Sequence, residues 1–427
     1  MGKGLPIMFQ GTHSDAGKSV IVTAFCRIFA QDGYKTAPFK SQNMALNSYI
    51  TIDGKEIGRA QGVQAEAAFI QATTDMNPIL IKPNRDYESQ IVVHGKPYKN
   101  MQAGEYRKAF FQTGLALIQE SLTSLTNTYD RIVIEGAGSP AEINLNDREL
   151  VNMRVARMAN APVVLIGDIE KGGVFASLVG TLQLLDREDH DRVIGVIINK
   201  FRGDVRLLEP GLKWFEEYSG KKVLGVIPYI PHLNIDAEDS VVLNQYTSAV
   251  NEEKEIDIAV IQYPKISNFT DIDPFFHEQD CHVRFITRSN QLKNPDIVIL
   301  PGSKNTIEDL KFLKESGIAQ KIVELHEKKQ AHIIGICGGY QMLGLKITDP
   351  DGIESSYNEM EGLSLLPLRT TMKKDKTTVL SEGYLHFNDQ SYHVKGYEIH
   401  MGATNVSGDC SPLIQLSDSV DGCKTSD

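Results

Sequence analysis

Gly11-Thr12-His13-Ser14-Asp15-Ala16-Gly17-Lys18-Ser19 follows the apolar run Pro6 to Gln10 and leads straight into a helical pattern that continues to Gln31. Glycines let backbone N–H groups turn inward around phosphate oxygens. A lysine meets the β- and γ-phosphates, and a hydroxyl at a helix N-terminus reaches Mg²⁺. Gly11, Thr12, Gly17, Lys18 and Ser19 supply those groups. Five residues separate Gly11 from Gly17, one more than in the usual phosphate loop. Strand, loop and helix fall in the order the motif demands, so the sequence predicts a nucleoside triphosphate site on the rim of an α/β sheet.

Working outward, the following segments alternate in the same way. Thr36 to Phe39 reads as a strand, as do Arg131 to Glu135, Pro162 to Asp168, Val193 to Asn199 and Leu224 to Pro228. These are continuous apolar, β-branched runs rather than alternating ones, the pattern of parallel strands covered on both faces. A polar segment, 244–255, reads as a linker. A second series follows: Ile256 to Gln262, His282 to Ile286, Ile297 to Leu300 and Ala331 to Ile336. The expected architecture is therefore two doubly wound parallel-sheet domains, 1–243 and 256–427, joined by that linker. The stretch from Gly402 to Asp427 is rich in Ser, Asp and Gly and shows no capping helix.

The second series carries its own chemistry. Gly335-Ile336-Cys337-Gly338-Gly339 sets one cysteine on a strand-to-helix turn among glycines. This is the cysteine form of a nucleophile elbow, where small neighbours permit a strained turn and a helix N-terminus favours the thiolate. A buried structural cysteine would not need three adjacent glycines. Upstream, Leu300-Pro301-Gly302-Ser303-Lys304 ends a strand in a loop able to donate N–H groups, so Gly302 and Gly338 are the expected oxyanion donors. Such a cysteine requires a base. Tyr397-Glu398-Ile399-His400-Met401-Gly402 offers His400, and His386 is a second candidate. A chain with both sites can activate a carboxylate with ATP and attack it with ammonia from glutamine.

Bulk properties narrow the setting. A chain of 427 residues exceeds the comfortable size of one core. A formal charge of −11 argues against nucleic acid or an anionic membrane as partner. The five cysteines form no CxxC pair and no zinc-spaced cluster, which suits a reducing cytoplasm. No apolar stretch approaches the ~18 residues of a membrane span, and no basic leader precedes an apolar one. A cytoplasmic enzyme is expected, with a homo-oligomer allowed and no permanently bound cofactor.

The five-residue loop spacing resembles dethiobiotin synthetase and its relatives, and the region around Cys337 resembles the class I glutamine amidotransferase domain. By that likeness Asp53 and Glu135 join Ser19 as Mg²⁺ ligands, with Asp168 a further acid on the rim. Asn199 is expected to contact adenine. The likeness narrows further. Phe39-Lys40-Ser41-Gln42-Asn43-Met44-Ala45-Leu46-Asn47-Ser48, Glu56 to Gln61, Met76-Asn77-Pro78, Asp168 to Ala176, Asn199 to Asp204 and Gly396 to Gly402 are similar to the cobyric acid synthase family. The resemblance implies ATP- and glutamine-dependent amidation of four peripheral carboxylates, b, d, e and g, of the corrinoid adenosylcobyrinic acid a,c-diamide. It also implies that the catalytic histidine belongs to a later Gly-Thr-Tyr-x-His-Gly stretch beyond residue 427. The chain is then expected to be C-terminally incomplete, and His400 to be a conformational or substrate-adjacent residue. Cobyrinic acid a,c-diamide synthase, a partitioning-type ATPase and a non-catalytic ligand-binding module are the alternatives. The Phe39 to Ser48 run argues against the first, and Cys337 has no purpose in the second.

Overall fold

The computed structural model describes residues 4–425 except 86, 232, 234, 236–242, 244–247, 252 and 388–389. Part of the expected linker thus lies outside the described residues. The chain divides into two compact units. The first holds residues 1–44, 56–81 and 91–236, and the second holds 45–55, 82–90 and 237–427.

The first unit is built on a six-stranded parallel sheet in the order Lys222–Pro228, Val193–Phe201, Val163–Asp168, Leu5–Gly11, Arg131–Glu135, Thr36–Phe39. The apolar runs account for this order physically. Every residue of Val163–Asp168 is buried, and Ile132, Val133 and Ile134 have no exposed surface. Only a strand covered by helices on both faces buries such a run. The helix Lys18–Gln31 covers one face through Ile21, Val22 and Cys26, which pack with Phe9, Val133, Val164 and Ile166. Leu5–Gly11 lies between Val163–Asp168 and Arg131–Glu135, so the phosphate loop opens at the sheet centre, where the strand order reverses. Doubly wound sheets place their ligands at that rim.

The second unit has a four-stranded parallel sheet, Cys281–Ile286, Ile256–Ile261, Ile297–Leu300, His332–Gly335. A mixed sheet accompanies it, absent from the sequence reading. Its largest part is a hairpin of Leu368–Phe387 against Gln390–Val406, extended by Ser411–Leu416 and Val420–Lys424. The polar stretch 402–427 therefore contributes strands rather than a bare tail. These strands place charge on both faces, as in Lys373-Lys374-Asp375-Lys376, and so lack the period-two signature.

One buried ion pair fixes the parallel sheet of this unit. Arg284 has no exposed side-chain surface and grips Asp257 bidentately at 2.7 and 2.8 Å, while donating to the Leu292 and Gln291 carbonyls. Replacing Arg284 with methionine leaves the Asp257 charge without its partner. The expected cost is about 3–5 kcal/mol. Hydrogen exchange of Ile256–Ile261 and Cys281–Ile286 measures it, and unchanged protection would show that the pair contributes nothing net.

Candidate functional site

In the first unit the loop closes around its own backbone. Thr12 N–H donates to Ile166 O at 3.0 Å, tying the loop to the neighbouring strand. Gly17 adopts φ 92°, and a Cβ there would stand 2.2 Å from Asn199 Nδ2, so a side chain would be strained and would displace Asn199. Lys18 is buried, its ammonium donating to the carbonyls of His13 at 3.1 Å and Gly138 at 3.4 Å. The charge is thereby held across the loop mouth. Ser19 Oγ donates to Glu135 Oε1 at 2.9 Å. The structure thus brings together Gly11, Gly17, Lys18, Ser19 and Glu135.

Glu135 is the centre of this cluster. It ends its strand almost fully buried, and besides Ser19 it accepts from Lys40 Nζ at 2.9 Å and from Gln64 Nε2 at 2.6 Å. Lys40 lies within the family-like run Phe39 to Ser48, and Gln64 belongs to no motif in the sequence. A lysine directly after the short strand Thr36–Phe39 was the available signal. Asn199 donates to Ala16 O at 3.0 Å, holding the loop from the next strand over. Asp168 is paired with Lys200 at 2.8 Å. Burial raises its pKa, but the Lys200 ammonium and the Glu170 amide outweigh that and hold the carboxyl below its ordinary value. Asp53 groups with the second unit, where it bridges Lys55 at 2.7 Å and accepts from Thr51. Those two partners lower its pKa.

In the second unit Cys337 sits between His332–Gly335 and the short helix Gly338–Met342 at φ 50°, ψ −110°. A side chain at positive φ and this ψ is strained, and the surroundings must enforce it. They do. A Cβ on Gly339 would lie 1.9 Å from Leu300 O, and one on Gly335 would lie 2.6 Å from Tyr340 Cα. Gly339 N–H instead donates to Pro301 O at 3.1 Å and to Ile336 O at 2.9 Å. Gly302 and Ser303 run alongside: a Cβ on Gly302 would be 4.0 Å from Cys337 Cβ, and one on Gly338 would be 2.9 Å from Ser303 N. Both glycines expected to serve an oxyanion therefore lie beside Cys337.

The sulfur points at the strand Gln390–Val406, its Sγ lying 3.8 Å from Ile399 O. His400, the next residue, is otherwise engaged: Nδ1 pairs with Gly402 O at 2.9 Å, and Nε2 stands 3.6 Å from Glu398. His386 pairs in register with Ser391 toward the turn of the hairpin. Cys337 itself counts among the exposed cysteines, yet crowding desolvates the thiol. That burial pushes its pKa up to about 11, against the pull of the Gly338 amide. A neutral resting thiol needs a base to become a nucleophile.

This geometry defines a class, an ATP-dependent glutamine amidotransferase in one chain. Residues 7–243 match the CobQ/CobB/MinD/ParA nucleotide binding domain, and residues 257–427 match the CobB/CobQ-like glutamine amidotransferase domain. The chain is 69% identical over all 427 residues to a cobyric acid synthase of Geobacillus sp. (strain WCH70), covering 85% of that protein. It is 68% identical to that of Anoxybacillus flavithermus, again over the full chain and 84% of the relative, and 64% identical to that of Geobacillus kaustophilus, over the full chain and 85% of the relative. The chain belongs to the cobyric acid synthase family.

The raised thiol pKa makes a prediction free of any substrate. Thiolate is the alkylating species, so iodoacetamide labelling of Cys337 should keep climbing past about pH 10, where a cysteine of the ordinary pKa of 9.0 levels off, because its own pKa is about 11. Peptide mass spectrometry of the 427-residue chain across that range checks it. A plateau below pH 8 would mean that the thiolate is stabilised in the resting elbow.

Proposed function

We propose that the chain uses ATP and glutamine to amidate the b, d, e and g carboxylates of adenosylcobyrinic acid a,c-diamide in cobalamin biosynthesis. A substrate carboxylate oxygen attacks the γ-phosphorus, ADP leaves, and an acyl phosphate results. Ammonia then adds to the acyl carbon, losing a proton, and phosphate departs. The Cys337 thiolate attacks the side-chain carbonyl of glutamine, ammonia leaves, and water releases glutamate from the thioester. The supporting observation is the co-occurrence of a phosphate cluster centred on Lys18, Ser19 and Glu135 with a strained cysteine elbow in a chain 69% identical to a cobyric acid synthase.

The residues carry distinct parts. Gly11, Thr12 and Gly17 present the loop backbone, and Lys18 neutralises charge on the β- and γ-phosphates. Asn199 contacts the adenine while keeping the loop closed through Ala16. The hydroxyl–carboxylate pair of Ser19 and Glu135 is the oxygen donor set a hard cation takes, and Mg²⁺ bound there would draw charge from the phosphates. Gly302 and Gly338 receive the oxyanion that forms on the glutamine carbonyl oxygen when Cys337 adds to it. His400, with both ring nitrogens turned to its own strand, positions that strand rather than taking the thiol proton. No described helix is long and apolar enough to cross a membrane, and the thiol chemistry fits a reducing cytoplasm.

The two sites can be tested separately. Lys18→Ala should abolish amidation with either glutamine or ammonium as nitrogen source, a loss on the order of a thousandfold. Cys337→Ser should abolish only the glutamine-dependent reaction, because ammonia bypasses the thioester. Near-normal corrinoid amidation by Lys18→Ala would defeat the ATP assignment. Glutamine hydrolysis that vanishes on His400→Ala would make His400 the base.

Metal binding gives a further expectation. Glu135→Gln keeps the shape and removes the charge, so the Mg²⁺ concentration needed for half-maximal activity should rise about tenfold or more. Asp53→Asn applies the same measurement to the remaining carboxylate, and an unchanged Mg²⁺ requirement there removes Asp53 from the ligand set.

A further inference from the structure

The turn that carries Gly302 has no regular structure long enough to hold it. Gly302–Ser303 is a two-residue strand, paired antiparallel only with Ile266–Ser267. Something else must fix it to the precision an oxyanion donor requires, a few tenths of an ångström. Asp309 is almost fully buried on the helix Thr306–Glu315 and makes two hydrogen bonds into this ribbon. Ser303 Oγ donates to Asp309 Oδ2 at 2.6 Å, and Lys265 N–H donates to Oδ1 at 3.2 Å. The two oxygens thus hold both sides of the ribbon, one at Ser303 within its strand and the other at Lys265, the residue that leads into Ile266–Ser267.

The rest of the turn is pinned in the same way. Ser303 Oγ also accepts from Asn305 N–H at 3.1 Å. Lys304 N–H donates to Lys265 O at 2.9 Å. Glu354, a second buried carboxylate, receives Thr306 N–H at 3.0 Å, and its carbonyl receives Asn305 Nδ2 at 2.8 Å. Carboxylates are costly to bury, and burial pushes the Asp309 pKa up to about 7 against the pull of Ser303 and the Lys265 amide. An apolar residue would fill that space at lower cost. What it could not do is hold two backbone segments at a fixed separation beside Cys337.

We infer that Asp309, acting through Ser303, is a positioning residue for the oxyanion donor at Gly302 in glutamine hydrolysis. The inference rests on the glutaminase reading proposed above. Asp309 touches no reacting atom. It determines where the Gly302 amide stands relative to the Cys337 sulfur, and the bond matters only while negative charge sits on the former carbonyl oxygen of the substrate.

Two alkylating reagents separate this role from a general loss of structure. A chloroketone analogue of glutamine passes through a tetrahedral adduct that needs the oxyanion donors, whereas iodoacetamide attacks the same sulfur without one. Asp309→Asn and Ser303→Ala should each slow chloroketone labelling of Cys337 about ten- to a hundredfold, a fraction of what removing a donor outright costs. Iodoacetamide labelling should stay within about twofold. The two substitutions break one bond, so the double variant should be no slower than either alone. Glutamine-dependent turnover should show the same fall in kcat at near-constant KM, with ammonium-dependent amidation preserved. Ser303→Ala removes only a hydroxyl and supplies the result if Asp309→Asn does not fold. Equal slowing with both reagents, or slowing with neither, overturns the inference. Failure of the unsubstituted chain to label Cys337 with the chloroketone even at about pH 11, where the thiol ionises without a base, overturns the glutaminase reading and the inference with it.

Discussion

A carboxylate with about one per cent of its surface exposed must be surrounded by donors, and Glu135 is. Its three partners come from three separate segments: Ser19 at the start of the first helix, Lys40 just past the second strand, and Gln64 on the helix Arg59–Ala67. None of the three would be brought together by hydrophobic packing alone. The carboxylate therefore acts as a template as much as a ligand, because misplacing any segment leaves a buried charge short of a partner, typically a penalty of several kcal/mol. The network continues outward. Gln61 faces Gln64 at 3.4 Å and accepts from Asn43 at 3.0 Å, and Asn77 donates to Lys40 O at 3.0 Å. Polar residues that look interchangeable in the sequence are fixed by this chain of bonds.

What could be read from the sequence follows from which interactions are local. The phosphate loop, the helix after it and the apolar strands depend on neighbours in the chain, and they fall where the pattern places them. Cys337 was legible for the same reason, since its glycines are adjacent in sequence and each meets a specific backbone atom. The Lys40–Glu135–Gln64 cluster spans residues 40 to 135 and has no local signature. Asp309 was hidden in another way: it lies in the first turn of a helix, where an acid is ordinarily read as a partner of the helix dipole. The long hairpin escaped because its strands carry Lys, Asp and Glu on both faces and bury little, so no hydrophobic period marks them.

The two sites solve opposite electrostatic problems. In the phosphate site the ligand brings the charge, and the protein supplies a buried ammonium already satisfied by backbone carbonyls. Those bonds hold Lys18 in place before nucleotide arrives, so little side-chain entropy remains to be lost on binding. In the elbow the protein must generate the charge itself. The resting thiol is neutral, with burial pushing its pKa to about 11, and a stable thiolate there would be exposed to alkylation and oxidation between turnovers.

A high resting pKa does not argue against Cys337 as nucleophile. Nucleophilicity rises with basicity, so a thiolate made only when a base takes its proton attacks faster than one stabilised in advance. The strained backbone at φ 50° serves the same end, because it fixes the sulfur at the helix start, within reach of the Gly338 amide. The elbow thus stores geometry rather than charge. On the reading proposed above, stabilising the oxyanion lowers the barrier, whereas stabilising the thiolate would deepen the ground state. On the glutaminase reading proposed above, rigid placement of Gly302 and Gly338 is the property on which that half depends, and two buried carboxylates, Asp309 and Glu354, are an understandable cost for it.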